Sequence, residues 1–304
     1  MKLLSLAPTR ISLFGGGTDL PEFADKYGGF CLNMAINIRQ LFEIDNETLP
    51  EETRETVFVS TILKEFNAEN LHHIQQFGGI INGGLGSSAA AAVCLVGAIN
   101  KYKNLGISRA GIAEKAWDIE VNKCGLYGGR QDQYCSAFGG INGMEFTKDK
   151  VTVVPLSRQF LDKLSGSVVL FHLGFNRKNP KIQEGFRKLS QGQVLCLSQI
   201  KKLVTEATPL IGNGDIEAVG HLLHRSWTLK KKSNRGVENL EFEKVYEKAQ
   251  KLGAWGGKIC GAGGGGYCIF MIDPDKRQGL IDGLGIKWID YDWDFNGLDV
   301  RRID

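Results

Sequence analysis

No stretch of this sequence is apolar for long enough to span a bilayer: the longest, Ala89 to Ile99, falls well short of the ~20 residues a spanning helix needs. The opening MKLLSLAPTR loses its apolar run at Arg10, too early for a secretory leader, so a cytoplasmic protein without a membrane partner is expected. Charge of one sign is scarce as well. The 37 Lys and Arg against 34 Asp and Glu leave a net of +3, too little to hold nucleic acid or an anionic membrane by its field alone. The seven cysteines include no C-x-x-C pair, and their odd number favours reduced thiols packed as small apolar side chains over disulfides.

What the chain has in excess is glycine. Its 39 glycines gather at 15–17, 78–86, 125–143 and 253–266 without a period, which points to several places where backbone turns tightly or approaches a ligand. The rest of the composition, 42% hydrophobic and 23% charged over 304 residues, is that of a globular protein large enough for two domains.

Short apolar runs between glycines (LLSLAP, RISLF, FCLNMAINI) predict strands at the start, with TVFVSTIL as a further strand and GGIIN as a short strand or loop. Ala89 to Lys103 predicts a buried helix. Ser108 is a suitable N-cap for a second helix running to Lys123, with Gly125 as its stop. Beyond 150, SVVLFHLG predicts a strand, three amphipathic helices follow near 182–206, 215–231 and 238–252, and GKICGAGGGGYCIFMI reads as two strands joined by glycines. The pattern predicts an α+β protein dividing near 150–165.

The segment GGLGSSAAAA (Gly83, Gly84, Leu85, Gly86, Ser87, Ser88, Ala89 and onward) carries chemistry. A Walker loop would need a lysine where Leu85 and Ser87 stand, and a dinucleotide fold would need a second strand ending in an acidic residue about 20 positions on, which NKYKNLGIS lacks. What remains is a glycine loop opening onto a helix, whose free N–H groups and positive dipole end suit an anion. The plainer alternative is a tight turn in which a serine merely caps the helix.

Three segments in order, APTRISLFGGGTDLPEF (7–23), GGLGSSAAAA and GGKICGAGGGGYCIF (256–270), resemble the three motifs of the GHMP kinases, the family of galactokinase, homoserine kinase, mevalonate kinase and phosphomevalonate kinase. The resemblance implies an α+β, two-domain kinase. Its N-terminal domain (1–157) would be ribosomal-protein-S5-like and its C-terminal domain (158–304) ferredoxin-like, with ATP, Mg²⁺ and a small-molecule acceptor in the cleft between them.

It also implies roles. Ser88, with Ser87 beside it, would meet ATP phosphate and Mg²⁺, and Glu120 would complete the metal's oxygen ligands. Asp132, in GLYGGRQDQY, would be the base, and Arg10 would hold its carboxylate and touch the transferred phosphate. Gly17, Thr18 and Asp19 would bind sugar hydroxyls. Gly263, Gly264 and Gly265, flanked by Gly261 and Gly266, would let backbone approach acceptor and phosphates.

Within the family, RISLFGGGTDLPEF with GGRQDQY and GAGGGG is most similar to the sugar kinases that phosphorylate the anomeric hydroxyl of D-glycero-D-manno-heptose 7-phosphate. Such a substrate would need a cationic pocket, for which Arg130, Arg177 and Lys178 are candidates. A kinase for a free sugar such as L-fucose, a non-catalytic ATP and sugar sensor, and an isoprenoid kinase or decarboxylase of the same fold are the alternatives. His221 and His224, three apart on one helical face, read as packed or solvated and not as metal ligands, and LKKKSNRG (229–236) reads as a solvated helix end, with use of its charges by a phosphorylated acceptor or ATP as the alternative.

Overall fold

The computed structural model describes residues 1–45, 57–77, 83–176, 185–237 and 239–303. The expectations for GGIIN, Arg177 and Lys178 lie outside them.

The runs LLSLAP and RISLF form one continuous strand, β1 (Leu3–Phe14), and α1 (Pro21–Tyr27) separates it from β2 (Gly29–Asp45). α1 is a short helix begun by a proline at its first position, where the missing N–H costs nothing. β2 is the spine of the first sheet. It pairs antiparallel with β1, with β3 (His72–Phe77) at one end and with β4 (Ile141–Phe146) at the other, and β5 (Val151–Pro155) lies beyond β4. The second sheet runs β7 (Gly256–Ile259), β8 (Gly265–Met271), β6 (Val168–Asn176), β9 (Lys287–Ile289), all antiparallel.

One expected strand is a helix. TVFVSTIL, rich in β-branched residues, folds as α2 (Val57–Glu65), because Val59, Ile62 and Leu63 at helical spacing share a buried face. The second predicted helix is α4 (Arg109–Asp118), with the Ser108 hydroxyl accepting from the Gly111 N–H as its cap. It continues to Lys123, as expected, but as a wider π turn over Ile119–Lys123. α5 (Gln131–Phe138) was not foreseen among the glycines that flank it.

α3 (Ser87–Tyr102) is buried at every position from Ala89 to Ile99 and lies against β1 and β2. The small alanines let the helix axis approach the sheet. After α6 (Arg158–Leu164), the amphipathic segments become α7 (Gln191–Asn213), α8 (Ile216–Ser233) and α9 (Leu240–Lys251), followed by α10 (Arg277–Leu284). The last strand, β10 (Asp299–Arg302), returns to the first sheet and pairs with β1.

One core spans both halves. Ile11, Leu13, Phe14 and Leu32 of the first sheet pack in a single cluster with Leu203, Leu223, Tyr267 and Ile269 of the second half. An interface this apolar holds the two halves together. No described helix is long and apolar enough to cross a membrane.

Candidate active site

The two glycine loops meet backbone on backbone. A Cβ on Gly84 would stand 2.5 Å from the Cys260 carbonyl oxygen, and one on Gly261 would lie 2.8 Å from Gly84 Cα. The Tyr267 N–H donates to the Gly83 carbonyl at 2.8 Å. Both Gly84 (φ +89°) and Gly261 (φ +67°) lie in the left-handed region, so glycine is required twice over, for conformation and for space. Gly263, Gly264 and Gly265 also have positive φ, and Asn239 Nδ2 donates to the Gly264 carbonyl, so this loop is set against the head of α9.

Gly86 is the N-cap of α3, also left-handed, and no side chain caps the helix. Neither Ser87 nor Ser88 is therefore spent as a cap. The Ser88 hydroxyl donates instead to Glu120 Oε1 at 2.6 Å, while Gln133 Nε2 donates to Glu120 Oε2 at 2.6 Å. Glu120 sits in the π turn, a device that re-aims a side chain out of helical register. Burial pushes its carboxyl up to about 7. The bonds from Ser88 and Gln133 oppose that shift, and the charge of Asp132 adds to it. No cation among the described residues pairs with Glu120. A buried carboxylate beside a hydroxyl, without a counter-charge, is an oxygen pair that suits a hard divalent cation whose other ligands are phosphate and water.

Arg10, 3% exposed on β1, forks onto Asp132 in the first turn of α5. Its Nε donates to Oδ1 at 2.7 Å and its Nη2 to Oδ2 at 2.6 Å. Its third arm, Nη1, donates to the Gly84 carbonyl at 2.7 Å, and its main-chain N–H donates to the Leu85 carbonyl at 2.9 Å. One arginine thus binds the carboxylate and the Gly83–Gly86 loop together. The field of Asp132 raises its affinity for the proton in spite of burial.

Asp19, also 3% exposed, accepts from the Gly17 N–H at 3.1 Å, from Gln131 Nε2 at 2.9 Å and from the Gln131 N–H at 3.3 Å. Burial pushes it up to about 6, reinforced by Asp132 and opposed by the main-chain donors. Gly129 crosses it so closely that a Cβ there would lie 2.0 Å from Asp19 Oδ2. The other amide atom of that side chain, Gln131 Oε1, is buried without a partner among the described residues, an acceptor suited to a sugar hydroxyl.

Arg10, Ser88, Glu120, Asp132 and Asp19 thus form one cluster, whereas two expected ligands are committed elsewhere. The Thr18 hydroxyl is fully buried, donating to the Phe30 carbonyl and accepting the Phe30 N–H, so it fixes the turn into β2 and does not face acceptor. Arg130 lies over the Trp117 ring at 4.4 Å, pairs with Glu114 and donates to the Thr147 carbonyl, which removes it as a pocket cation. His221 meets Glu217 and His224 meets the Tyr246 hydroxyl, as packed or solvated side chains do.

The sequence pattern gives no sign of Gln131, Gln133 or Lys258, and it favours a solvated place for Lys230. Lys230, in the run expected to be a solvated helix end, donates to the Gly261 carbonyl at 2.5 Å inside the cleft. Lys258, 4% exposed, donates to the Ser12 carbonyl at 2.7 Å and ties β7 to β1.

Residues 58–140 match the model of the GHMP kinases N terminal domain, and residues 207–290 match that of the GHMP kinases C terminal. A D-glycero-alpha-D-manno-heptose 7-phosphate kinase of Campylobacter jejuni is 31% identical over 91% of this chain and 91% of its own. This chain belongs to the GHMP kinase family. A mevalonate kinase of Methanothermobacter thermautotrophicus is 28% identical over 67% of the chain and 65% of the relative. Among solved structures, a D-glycero-D-manno-heptose 1-phosphate kinase from Bacteroides thetaiotaomicron superposes with TM-score 0.81 at 24% identity over 99% of both chains, and shares the fold. Lactococcus lactis galactokinase does so with TM-score 0.76 at 17% identity, over 99% of this chain and 95% of its own. This GHMP kinase is a sugar kinase, a phosphotransferase acting on an alcohol group.

Proposed function

We propose that this GHMP kinase transfers the γ-phosphate of ATP to the anomeric C1 hydroxyl of D-glycero-D-manno-heptose 7-phosphate, giving the 1,7-bisphosphate. In this reading its N-terminal domain spans 1–157, its C-terminal domain 158–304, and it acts in the cytoplasm. The observation that carries the reading is the Arg10–Asp132 fork held against the phosphate loop at Gly84, next to a buried Asp19 that has kept acceptor capacity. The similarity to the heptose 7-phosphate kinase supports the acceptor.

Phosphoryl transfer passes through a loose transition state, so the protein's part is positioning and charge stabilisation. Gly83 to Ala89 would cradle the phosphates at the open first turn of α3. Ser88 and Glu120 would hold Mg²⁺, which when bound offsets phosphate charge. Asp19 and Gln131 would accept hydroxyl protons of the sugar and so aim its C1 oxygen. As the bond from that oxygen to the γ-phosphorus forms and the bond to the bridging oxygen breaks, ADP leaves and the proton of the C1 hydroxyl passes to Asp132. An anomeric hydroxyl is more acidic than an ordinary alcohol, so a carboxylate suffices as base. Arg10 would stay on Asp132 while its charge faces the phosphoryl in flight.

Coupled ADP release with heptose 7-phosphate, free heptose, L-fucose, galactose and mevalonate tests this. Turnover on heptose 7-phosphate far above the others supports it, and preference for a free sugar overturns the acceptor while leaving the kinase.

A further inference from the structure

The site's cations are Arg10, Lys230 and Lys258 and its carboxylates Asp19, Glu120 and Asp132, yet among the described residues the one ion pair these six form is Arg10–Asp132. Arg10 is matched by Asp132. Lys230, at the C-terminal end of α8, and Lys258 on β7 each donate only to main-chain carbonyls, and neither forms an ion pair among the described residues. The charges facing Lys230 are Lys258 and Arg10, both of its own sign, with Asp19 the carboxylate in range and the Cys260 thiol alongside. Two ammonium groups gathered beside an arginine, with no carboxylate to pair either of them, is the arrangement an anion completes.

The two lysines are not equivalent. Lys258, 4% exposed, gives bonds to the Ser12 and Leu13 carbonyls, which clamp the second sheet to β1. Lys230 is only half-buried. An ammonium has three donors, and one of them is used on Gly261, the residue that touches Gly84 of the phosphate loop. Its head is thereby anchored one residue away from where the two glycine loops meet, with two donors left for a ligand.

We propose that Lys230 is a phosphate-binding residue of the cleft, directing its ammonium at a phosphoryl group of the bound reactants. That group is either the γ-phosphate in transfer or the phosphate the acceptor already carries; the second source rests on the acceptor proposed above. Burial, with Lys258 and Arg10, brings the Lys230 ammonium down to about 7, and a bound phosphate dianion would restore its charge.

The test compares wild type, Lys230→Met and Lys230→Arg. Calorimetry measures binding of a non-hydrolysable ATP analogue and of heptose 7-phosphate separately, and kcat is measured both for ADP release with acceptor and for slow ATP hydrolysis without it. Thermal melts check that each variant is folded. A charge-assisted hydrogen bond of ~1.5–3 kcal/mol corresponds to ~10-fold to 100-fold. A loss of that size in acceptor binding by Lys230→Met, with the nucleotide analogue unaffected, supports Lys230 as the acceptor-phosphate site. A loss of that size in kcat, with both affinities within about threefold, supports the transferred phosphoryl. In either case Lys230→Arg recovers part of the loss. A folded Lys230→Met protein within twofold of wild type on every readout overturns the proposal. If wild type does not bind heptose 7-phosphate, the acceptor reading fails by itself, and the nucleotide and hydrolysis arms still decide Lys230.

Discussion

Arg10 Nε and Nη2 meet Asp132 Oδ1 and Oδ2 at 2.7 and 2.6 Å, while Nη1 of the same side chain holds the Gly84 carbonyl at 2.7 Å. The base candidate and the phosphate loop are therefore positioned by a single guanidinium, and displacement of either displaces the other.

Arg10→Lys tests that coupling. Lysine keeps the charge but cannot fork onto a carboxylate and reach a carbonyl at once. The expected result is a fall in kcat on the order of 10²-fold with the protein still folded, since misplacing a reacting group costs about that much. Steady-state kinetics with circular dichroism as the fold control checks it. A kcat within threefold of wild type would mean that charge alone matters.

Asp19 sets a pH dependence of stability. Its carboxyl is raised to about 6 in the folded protein from an ordinary 3.8, so between those values the folded state keeps a proton that the unfolded state releases. This group's contribution to stability is therefore fully present below about 4 and is lost as pH rises through 6, on the order of 3 kcal/mol in all. Urea unfolding from pH 4 to 7 should show Asp19→Asn with a flatter profile than wild type. Parallel profiles would remove Asp19 as the cause.

Gly84→Ala should strain the loop contact. The new Cβ would stand 2.5 Å from the Cys260 carbonyl oxygen at a φ of +89°, a conformation costing of order 1–3 kcal/mol before any clash is relieved. A lower melting temperature and weakened ATP binding are expected together. ATP affinity equal to wild type, measured by calorimetry, would separate the loop from the nucleotide.

Glu120→Gln keeps the shape and one acceptor oxygen but removes the anionic oxygen proposed for Mg²⁺. The half-saturating Mg²⁺ concentration should rise ~10-fold or more, in line with the cost of losing a ligand's support. An unchanged Mg²⁺ titration would assign the metal elsewhere.

Much of the site was legible because its chemistry is local: the glycine strings mark where backbone must pass close, and the buried alanine helix follows from its own composition. What was not legible depends on distant partners. Arg130 looks like a free cation until Trp117, thirteen positions earlier, lies beneath it. Lys230 looks solvated among LKKK until the end of α8 is brought against Gly261. Thr18 sits in a sugar-binding string, yet β2 takes its hydroxyl for Phe30. α2 was misread because Val, Phe and Thr favour strands, and only its packing against α3 makes the Val59, Ile62, Leu63 face decisive.

The central claim is that Asp132 takes the proton from the C1 hydroxyl of heptose 7-phosphate. Phosphorus NMR of the product, with rates for wild type and Asp132→Asn, tests it most directly. The account predicts a new phosphate on C1 and a variant that binds ATP normally but turns over ~10²–10⁴-fold more slowly. Phosphate on any other hydroxyl, or an Asp132→Asn rate within a few-fold of wild type, would contradict it.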